Sequence, residues 1–241
     1  MIPLDWLVND FAVRSFRDIA DGDYIAARMA CRAALVTQFL WASQQAVEKY
    51  LKCILLLNRI EAKDVRHNLG KALSKINGSG KVPLGLTNGT QNFIVRLDQY
   101  GQYHYLEVSN IAFGAELVNL DRAVWELRRY CTLAQEPRQE QLRNGVAAPL
   151  VSISDGYLEK ILDDSKNQAR EPLLWQNGFF GKRTRKRVRL RKWFHAQNAP
   201  LYLNPQILDE VLKYVYIPSN VEAGLPDTFA AAKDRKIQAV M

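Results

Sequence analysis

Five arginines alternate with other residues in one short basic segment, and this spacing could bind a phosphate backbone. The segment is residues 182–192, Lys-Arg-Thr-Arg-Lys-Arg-Val-Arg-Leu-Arg-Lys, which has eight basic residues and no acidic one. Alternate residues of a strand share one face at a repeat of about 6.6 Å, whereas on a helix they would scatter around the axis. We therefore expect a strand whose basic face contacts nucleic acid through Arg183, Arg185, Arg187, Arg189 and Arg191. Lys192, the next residue, is also a predicted nucleic-acid contact.

The excess positive charge of the chain comes from this basic segment. The 241 residues include 33 lysines and arginines and 25 acidic residues, which gives a net charge of +8. Without the eight basic residues of the segment, the remaining 25 basic residues balance the 25 acidic ones. A local excess of this kind predicts a polyanionic partner, and nucleic acid is favoured over a membrane surface.

One long apolar stripe predicts a central helix. Residues 38–58 repeat apolar side chains at spacings of three and four, which is typical of a helix of more than five turns. Polar side chains and Trp41 lie on the opposite arc, where Glu48 and Lys52 are spaced to form an ion pair. Because so wide an apolar arc needs at least two partner helices, we expect a core helix of a bundle. The arc consists of Phe39, Ala42, Ala46, Val47, Tyr50, Cys53, Ile54 and Leu57.

The helical pattern covers residues 1–134 and predicts five or six helices there. Residues 135–150 are polar and lack periodicity, so we place a domain boundary in them. Residues 150–241 would then form a basic α+β C-terminal domain. Its first helix would begin after Ser154 and run to about Gln168, and Pro172 would stop it.

A basic β-hairpin is expected in the C-terminal domain. The arginine strand, 183–191, would be followed by a turn at residues 195–200 and a returning strand at 201–203. A helix at 205–216 would pack behind it, since Asn204 and Pro205 are a typical helix start.

The central helix also carries a family resemblance. The run Gln44-Gln-Ala-Val-Glu-Lys-Tyr-Leu-Lys52, followed by Ile54-Leu-Leu-Leu57 and His67-Asn-Leu69, resembles the HEPN domain (higher eukaryotes and prokaryotes nucleotide-binding). Asp23-Tyr-Ile-Ala-Ala-Arg28 is similar to the first helix of that family, and the resemblance spans roughly residues 10–134. It implies an all-α bundle, commonly dimeric, in a family of metal-independent RNases and RNA-binding modules from toxin–antitoxin and phage-defence systems. The expected fold is therefore mainly α, a HEPN-like bundle with a small appended α+β segment.

The resemblance also implies a catalytic pair. RNases of the HEPN family carry Arg-x(4–6)-His near the start of their last long helix, and the corresponding region holds Arg96 and His104, with seven residues between them. An imidazole can move the proton of a 2′-hydroxyl or leaving group, and a guanidinium can stabilise charge on a phosphate. Alternatively, His104 is a polar residue at a helix junction and Arg96 a surface cation. Tyr103, beside His104, would either stack on a base or pack in the bundle.

Other residues suggest simpler roles or exclude functions. His67 is expected to cap and pack the helix that follows it. Cys31, Cys53 and Cys131 match no zinc motif, which predicts a reduced cytoplasmic setting and no metal site. The chain has no phosphate-binding glycine loop and no apparent signal peptide or membrane span, so we expect no cofactor and no membrane contact.

Two classes of function remain on the sequence alone. The first is an RNA-binding protein with metal-independent endoribonuclease activity, acting as a homodimer with an antitoxin or defence partner. The second is a non-catalytic nucleotide- or protein-binding module that scaffolds a partner. A helical dimerisation protein whose basic patch meets an acidic antitoxin is a further alternative.

Overall fold

A computed structural model describes residues 4–101, 110–113, 115–132, 156–181 and 194–197 of the chain. The predicted site residues Tyr103 and His104 lie outside these ranges, as do the basic segment (182–192), the returning strand and the helix expected at 205–216.

Residues 4–32 form one long, nearly continuous helical rod. Helix α1 spans Leu4–Ala12, a single π-helical stretch follows at Val13–Arg17, and α2 spans Asp18–Arg32. The rod contacts the core both before and after the π-helical stretch, since Ala12 and Ala20 are both fully buried. A π-helical insertion rotates the following residues around the axis, which allows one rod to keep contact with a curved core.

Helix α3, Val36–Leu57, is the central helix that the apolar stripe predicts. The predicted arc is buried from Phe39 to Ile54, and Leu57 at the end is half-buried. Trp41, on the opposite arc, is 50% exposed. Helices α2, α5 and α6 all pack against α3, so the expectation of at least two partner helices is confirmed.

Three further helices complete the bundle. Helix α4 spans Leu69–Gly78, α5 spans Asn88–Gly101, and α6 spans Ala115–Arg128 and continues as one 3-10 turn at Arg129–Cys131. Within the described residues up to 132 there are six α-helices, as the sequence predicts.

Two short strands join distant parts of the chain. Strand β1, Asn110–Phe113, pairs in antiparallel fashion with β2, Phe194–Gln197, so that Phe113 lies opposite Phe194 and Asn110 opposite Gln197. The prediction of a turn from residue 195 is therefore wrong, because residues 195–197 continue a strand. Its partner is far away in sequence, and a local pattern of turn-forming residues cannot reveal such pairing.

Residues 156–181 pack on the bundle. They form two short helices, α7 at Tyr157–Asp163 and α8 at Arg170–Leu174. The prediction that Pro172 ends the first helix is wrong: α7 stops at Asp163, and Pro172 lies in the first turn of α8, where a missing N–H costs no helical hydrogen bond. The division of the chain at 135–150 stays a prediction, but four side chains beyond it join the hydrophobic core: Leu158, Ile161, Leu173 and Phe180.

The described part of the chain is mainly α-helical, as expected. No helix within the described ranges has both the length and the apolar character needed to cross a membrane.

Candidate functional site

Arg96 lies on α5 and faces the start of α6. Its Nη1 forms an ion pair with Oε1 of Glu116, whose side chain is only 2% exposed, and its Nη2 donates a 3.2 Å hydrogen bond to the hydroxyl of Tyr100. The guanidinium carbon lies 5.4 Å from the centre of the Tyr100 ring. The Arg96 side chain keeps 28% of its surface exposed. The side chain is thus held between two helices and stays partly exposed.

The β1–β2 ladder lies close in sequence to Glu116, the partner of this arginine. Phe113 precedes Glu116 by three residues, and Phe194 follows the last residue of the basic segment by two. Because Phe113 and Phe194 are paired, the chain that leaves the basic segment meets the chain that enters α6. The ladder also lies beside α3.

A second polar group, which the sequence did not predict as a unit, joins α3 to the start of α4. Glu48 is nearly buried, with 6% of its side chain exposed. Its Oε1 accepts a 2.6 Å hydrogen bond from Lys52 Nζ, and its Oε2 lies 3.1 Å from His67 Nδ1. The His67 side chain is 78% exposed. The Glu48–Lys52 pair is confirmed, but the packing role expected of His67 is wrong.

The cap of α4 is Asn68, not His67. Asn68 Oδ1 accepts a 2.6 Å hydrogen bond from the Lys71 amide. Asp98 of α5 accepts hydrogen bonds from the Leu69 amide at 2.6 Å and the Gly70 amide at 3.3 Å. Since carboxylates stabilise the positive end of a helix, these contacts fix the first turn of α4 against α5. They also occupy the amides that an anion would need.

A buried ionic network fastens α8 to the bundle. Arg28, on α2, is fully buried; it pairs with Asp121 of α6 and donates to the carbonyls of Pro172, at 3.0 Å, and Trp175. Asp121 also accepts a 2.6 Å hydrogen bond from the Tyr24 hydroxyl. Burial raises the pKa of Tyr24, which keeps this hydroxyl protonated as a donor. These contacts explain the burial of an arginine without assigning it a catalytic role.

A second network of the same composition fastens α7. Asp21 of α2 accepts 2.8 and 2.9 Å hydrogen bonds from Arg128 and a 2.5 Å hydrogen bond from Tyr50. Arg128 also donates to both oxygens of Glu159 on α7, at 2.6 Å each. Burial alone would lower the pKa of Arg128, but the hydrogen bonds and charge of Asp21 raise it. Arg128 is therefore a permanent cation that bridges two elements.

The cysteines are poor nucleophiles in this fold. All three are buried, and burial raises the pKa of Cys31 to about 12 and that of Cys131 well above its usual value. Since the thiolate is the reactive form, neither of these two thiols is poised for nucleophilic catalysis.

Nothing in the described ranges favours a metal centre. No cluster of three or more His, Cys, Asp or Glu side chains with the geometry of a metal site occurs among those residues. An open depression of about 440 Å³ over α7 is lined by Glu159, Lys160, Asp163 and Asp164, and its acidic character is unsuited to a phosphate backbone.

Comparison of the chain with known proteins gives no match, whether to a protein-family model, to a curated protein or to a solved structure.

Proposed function

We propose that the chain is an RNA-binding protein of the HEPN type whose basic segment holds the RNA backbone. The pairing of β1 with β2 carries the proposal. Strand β2 begins two residues after the basic segment. Strand β1 ends three residues before Glu116, which forms the ion pair with Arg96. The β1–β2 ladder therefore connects the end of the basic segment to the stretch of chain that leads to the Arg96–Glu116 pair. Several cations along one surface are what a polyanionic strand requires.

The catalytic hypothesis assigns a metal-independent endoribonuclease centre to Arg96 and His104. Arg96 would stabilise the charge that grows on the phosphate, and the His104 imidazole would move a proton of the 2′-hydroxyl or the leaving oxygen. Its support is the partly exposed side chain of Arg96, together with the sequence resemblance. His104 lies three residues beyond Gly101, the last residue of α5.

A specific contact favours the alternative, a non-catalytic module that binds a nucleotide or protein and scaffolds a partner. The Arg96 guanidinium is already bound to a buried carboxylate, Glu116. An arginine in such a pair can serve mainly to hold α5 against α6, because separating it would leave a buried charge without that partner. In this alternative the basic segment meets an acidic partner surface.

Cleavage of RNA in the presence of EDTA decides between the two. The test variants are Arg96→Lys and His104→Ala, and Arg129→Ala is the control, an exposed arginine bound to the Gly85 carbonyl on another part of the bundle. Lysine keeps a cation beside Glu116 but lacks the planar fork that binds phosphate oxygens.

We expect wild type and Arg129→Ala to cleave, and each test variant to lose about 100-fold in rate. Wild-type cleavage in both test variants would exclude this centre, and binding without cleavage by wild type would support the scaffold.

The cellular setting is proposed on the resemblance alone. It comprises a cytoplasmic homodimer and an antitoxin or defence protein as partner. Light scattering at tens of micromolar protein checks the dimer.

A further inference from the structure

The outer side of α6 combines a cation with an exposed aromatic ring. The three acidic residues of this helix, Glu116, Asp121 and Glu126, are all buried. Arg122 and Trp125 are three residues apart, a spacing that brings two side chains together on one face of a helix. Trp125 is 38% exposed and Arg122 is half-buried. A surface of this composition suits a ligand that has both negative charge and flat rings.

Folding does not account for the charge of Arg122. Its side chain has no ion pair and no hydrogen bond within the ranges that the structure describes. Glu126, one turn further along α6, instead accepts hydrogen bonds from the Thr87 amide, at 2.9 Å, and the Thr87 hydroxyl, at 3.0 Å. The Arg122 guanidinium lies against Gly89, the second residue of α5, where a Cβ would be 2.6 Å from Nη1. A cation near the positive end of a helix is unfavourable, so an external anion beside Arg122 would relieve a cost of folding.

Trp125 is held in place by two phenylalanines. The centre of its ring system lies 6.4 Å from that of Phe179 and 5.4 Å from that of Phe180, which it meets edge-on. The Phe179 and Phe180 amides both donate to Asn177 Oδ1, at 2.9 and 3.1 Å. The indole is therefore already ordered, and a base that stacks on it would lose little affinity to the ordering of the side chain.

The basic segment (182–192) begins close to this tryptophan. Phe179 precedes its first residue by three positions. Three residues of extended chain span at most about 11 Å. A strand of RNA whose phosphates are bound by the start of the basic segment can therefore reach Trp125 with one of its bases.

We propose that Arg122 and Trp125 form a nucleotide contact for single-stranded RNA, in which the indole stacks on a base and the guanidinium binds a neighbouring phosphate. The proposal rests on the RNA binding proposed for the basic segment and adds to it a contact with the bases. Every base has a flat face, so this contact raises affinity without selecting a sequence. An acidic protein surface is the competing ligand, and it would use Arg122 but offer no ring to Trp125.

The test measures binding of the full-length protein to a labelled single-stranded RNA by fluorescence anisotropy over a range of salt concentrations. Trp125→Leu keeps an apolar side chain against the phenylalanines but removes the ring. It should weaken binding about tenfold at every salt concentration and leave the slope of log K against log salt unchanged, because a stacked base carries no charge. Trp125→Phe retains a ring and should restore most of the loss. Arg122→Gln should flatten the slope by about 0.7, the value for one phosphate of a single strand.

Two controls separate stacking from other effects. Trp41→Leu removes a tryptophan that is 50% exposed on α3, and it should bind RNA as wild type does. Heparin, a polyanion without bases, should bind Trp125→Leu as tightly as it binds wild type, which also shows that the variant is folded.

Three outcomes would overturn this contact and leave the proposal for the basic segment standing. They are wild-type RNA binding by Trp125→Leu, an equal loss of heparin binding in that variant, and an unchanged slope in Arg122→Gln. Absence of RNA binding by the wild-type protein would overturn both proposals, and binding of an acidic protein would then be the remaining use of Arg122.

Discussion

Arg28 illustrates how single residues decide the packing of this protein. Its guanidinium is fully buried, and it donates hydrogen bonds to Asp121 and to the carbonyls of Pro172 and Trp175. A buried guanidinium is tolerated only when its donors are satisfied and its charge is neutralised. One residue of α2 thus holds both α6 and α8.

Tyr24 gives a direct test of this network. Its hydroxyl donates a 2.6 Å hydrogen bond to Asp121 and accepts one of 2.9 Å from Asn177. We expect Tyr24→Phe to lower the free energy of unfolding by about 1.5–3 kcal/mol, because a buried carboxylate loses a donor. Urea denaturation measures the loss, with the exposed Tyr157→Phe as control, for which a change within about 0.5 kcal/mol is expected. Equal stability of the two variants would contradict a supporting role for this network.

Sequence patterns reveal residues on one helix better than residues that meet across helices. The Glu48–Lys52 pair follows from a spacing of four, and the exposed Trp41 from its place opposite the apolar arc. The Glu48–His67 contact crosses a loop and could not be read from either motif. The burial of Arg28 was missed for the same reason, since its partners lie on α6 and α8.

Among the elements, long periodic helices were predictable and short ones were not. Helix α3 matches its expected range almost completely, because 22 residues with one apolar stripe allow little ambiguity. Helix α8 has five residues and contains a proline, so its sequence is typical of a loop. Strands β1 and β2 have four residues each and are defined by their pairing, which no local pattern encodes.

The attachment of α7 should depend on pH. Burial tends to raise the pKa of Glu159, but the hydrogen bonds and charge of Arg128 outweigh this effect and lower it below the ordinary value of 4.5. A carboxyl with a lowered pKa stabilises the fold above its unfolded pKa, and this contribution is lost as the pH falls through the folded pKa. The stability that Glu159 provides is therefore complete at neutral pH and disappears only in acid.

Replacing Glu159 with glutamine tests this dependence. At pH 7 we expect the variant to be less stable by about 0.5–1 kcal/mol, a small value because the Glu159 side chain is 44% exposed and its pair is screened. The difference between variant and wild type should persist down to about pH 5 and shrink below 4.5. Urea denaturation at several pH values measures it, and a difference that grows on acidification would contradict the assigned sign.

For the whole molecule, the distribution of charge matters more than its total. The chain outside residues 182–192 is balanced, with 25 basic and 25 acidic residues. The described cations are largely used internally, as Arg28 with Asp121 and Arg128 with Asp21 show. The basic segment, in contrast, contains no acidic residue. We therefore expect this segment to dominate any binding of a polyanion.

The most direct test of the central claim is the salt dependence of RNA binding, measured by fluorescence anisotropy. Each phosphate neutralised on a single strand contributes about −0.7 to the slope of log K against log salt. If Arg187, Arg189 and Arg191 all contact phosphates, replacing the three with glutamine should flatten the slope by roughly 2 and weaken binding similarly for different RNA sequences. Lys186→Gln, off the arginine face of the predicted strand, should change little. An unchanged slope in the triple variant would contradict the proposal that this segment holds the RNA backbone.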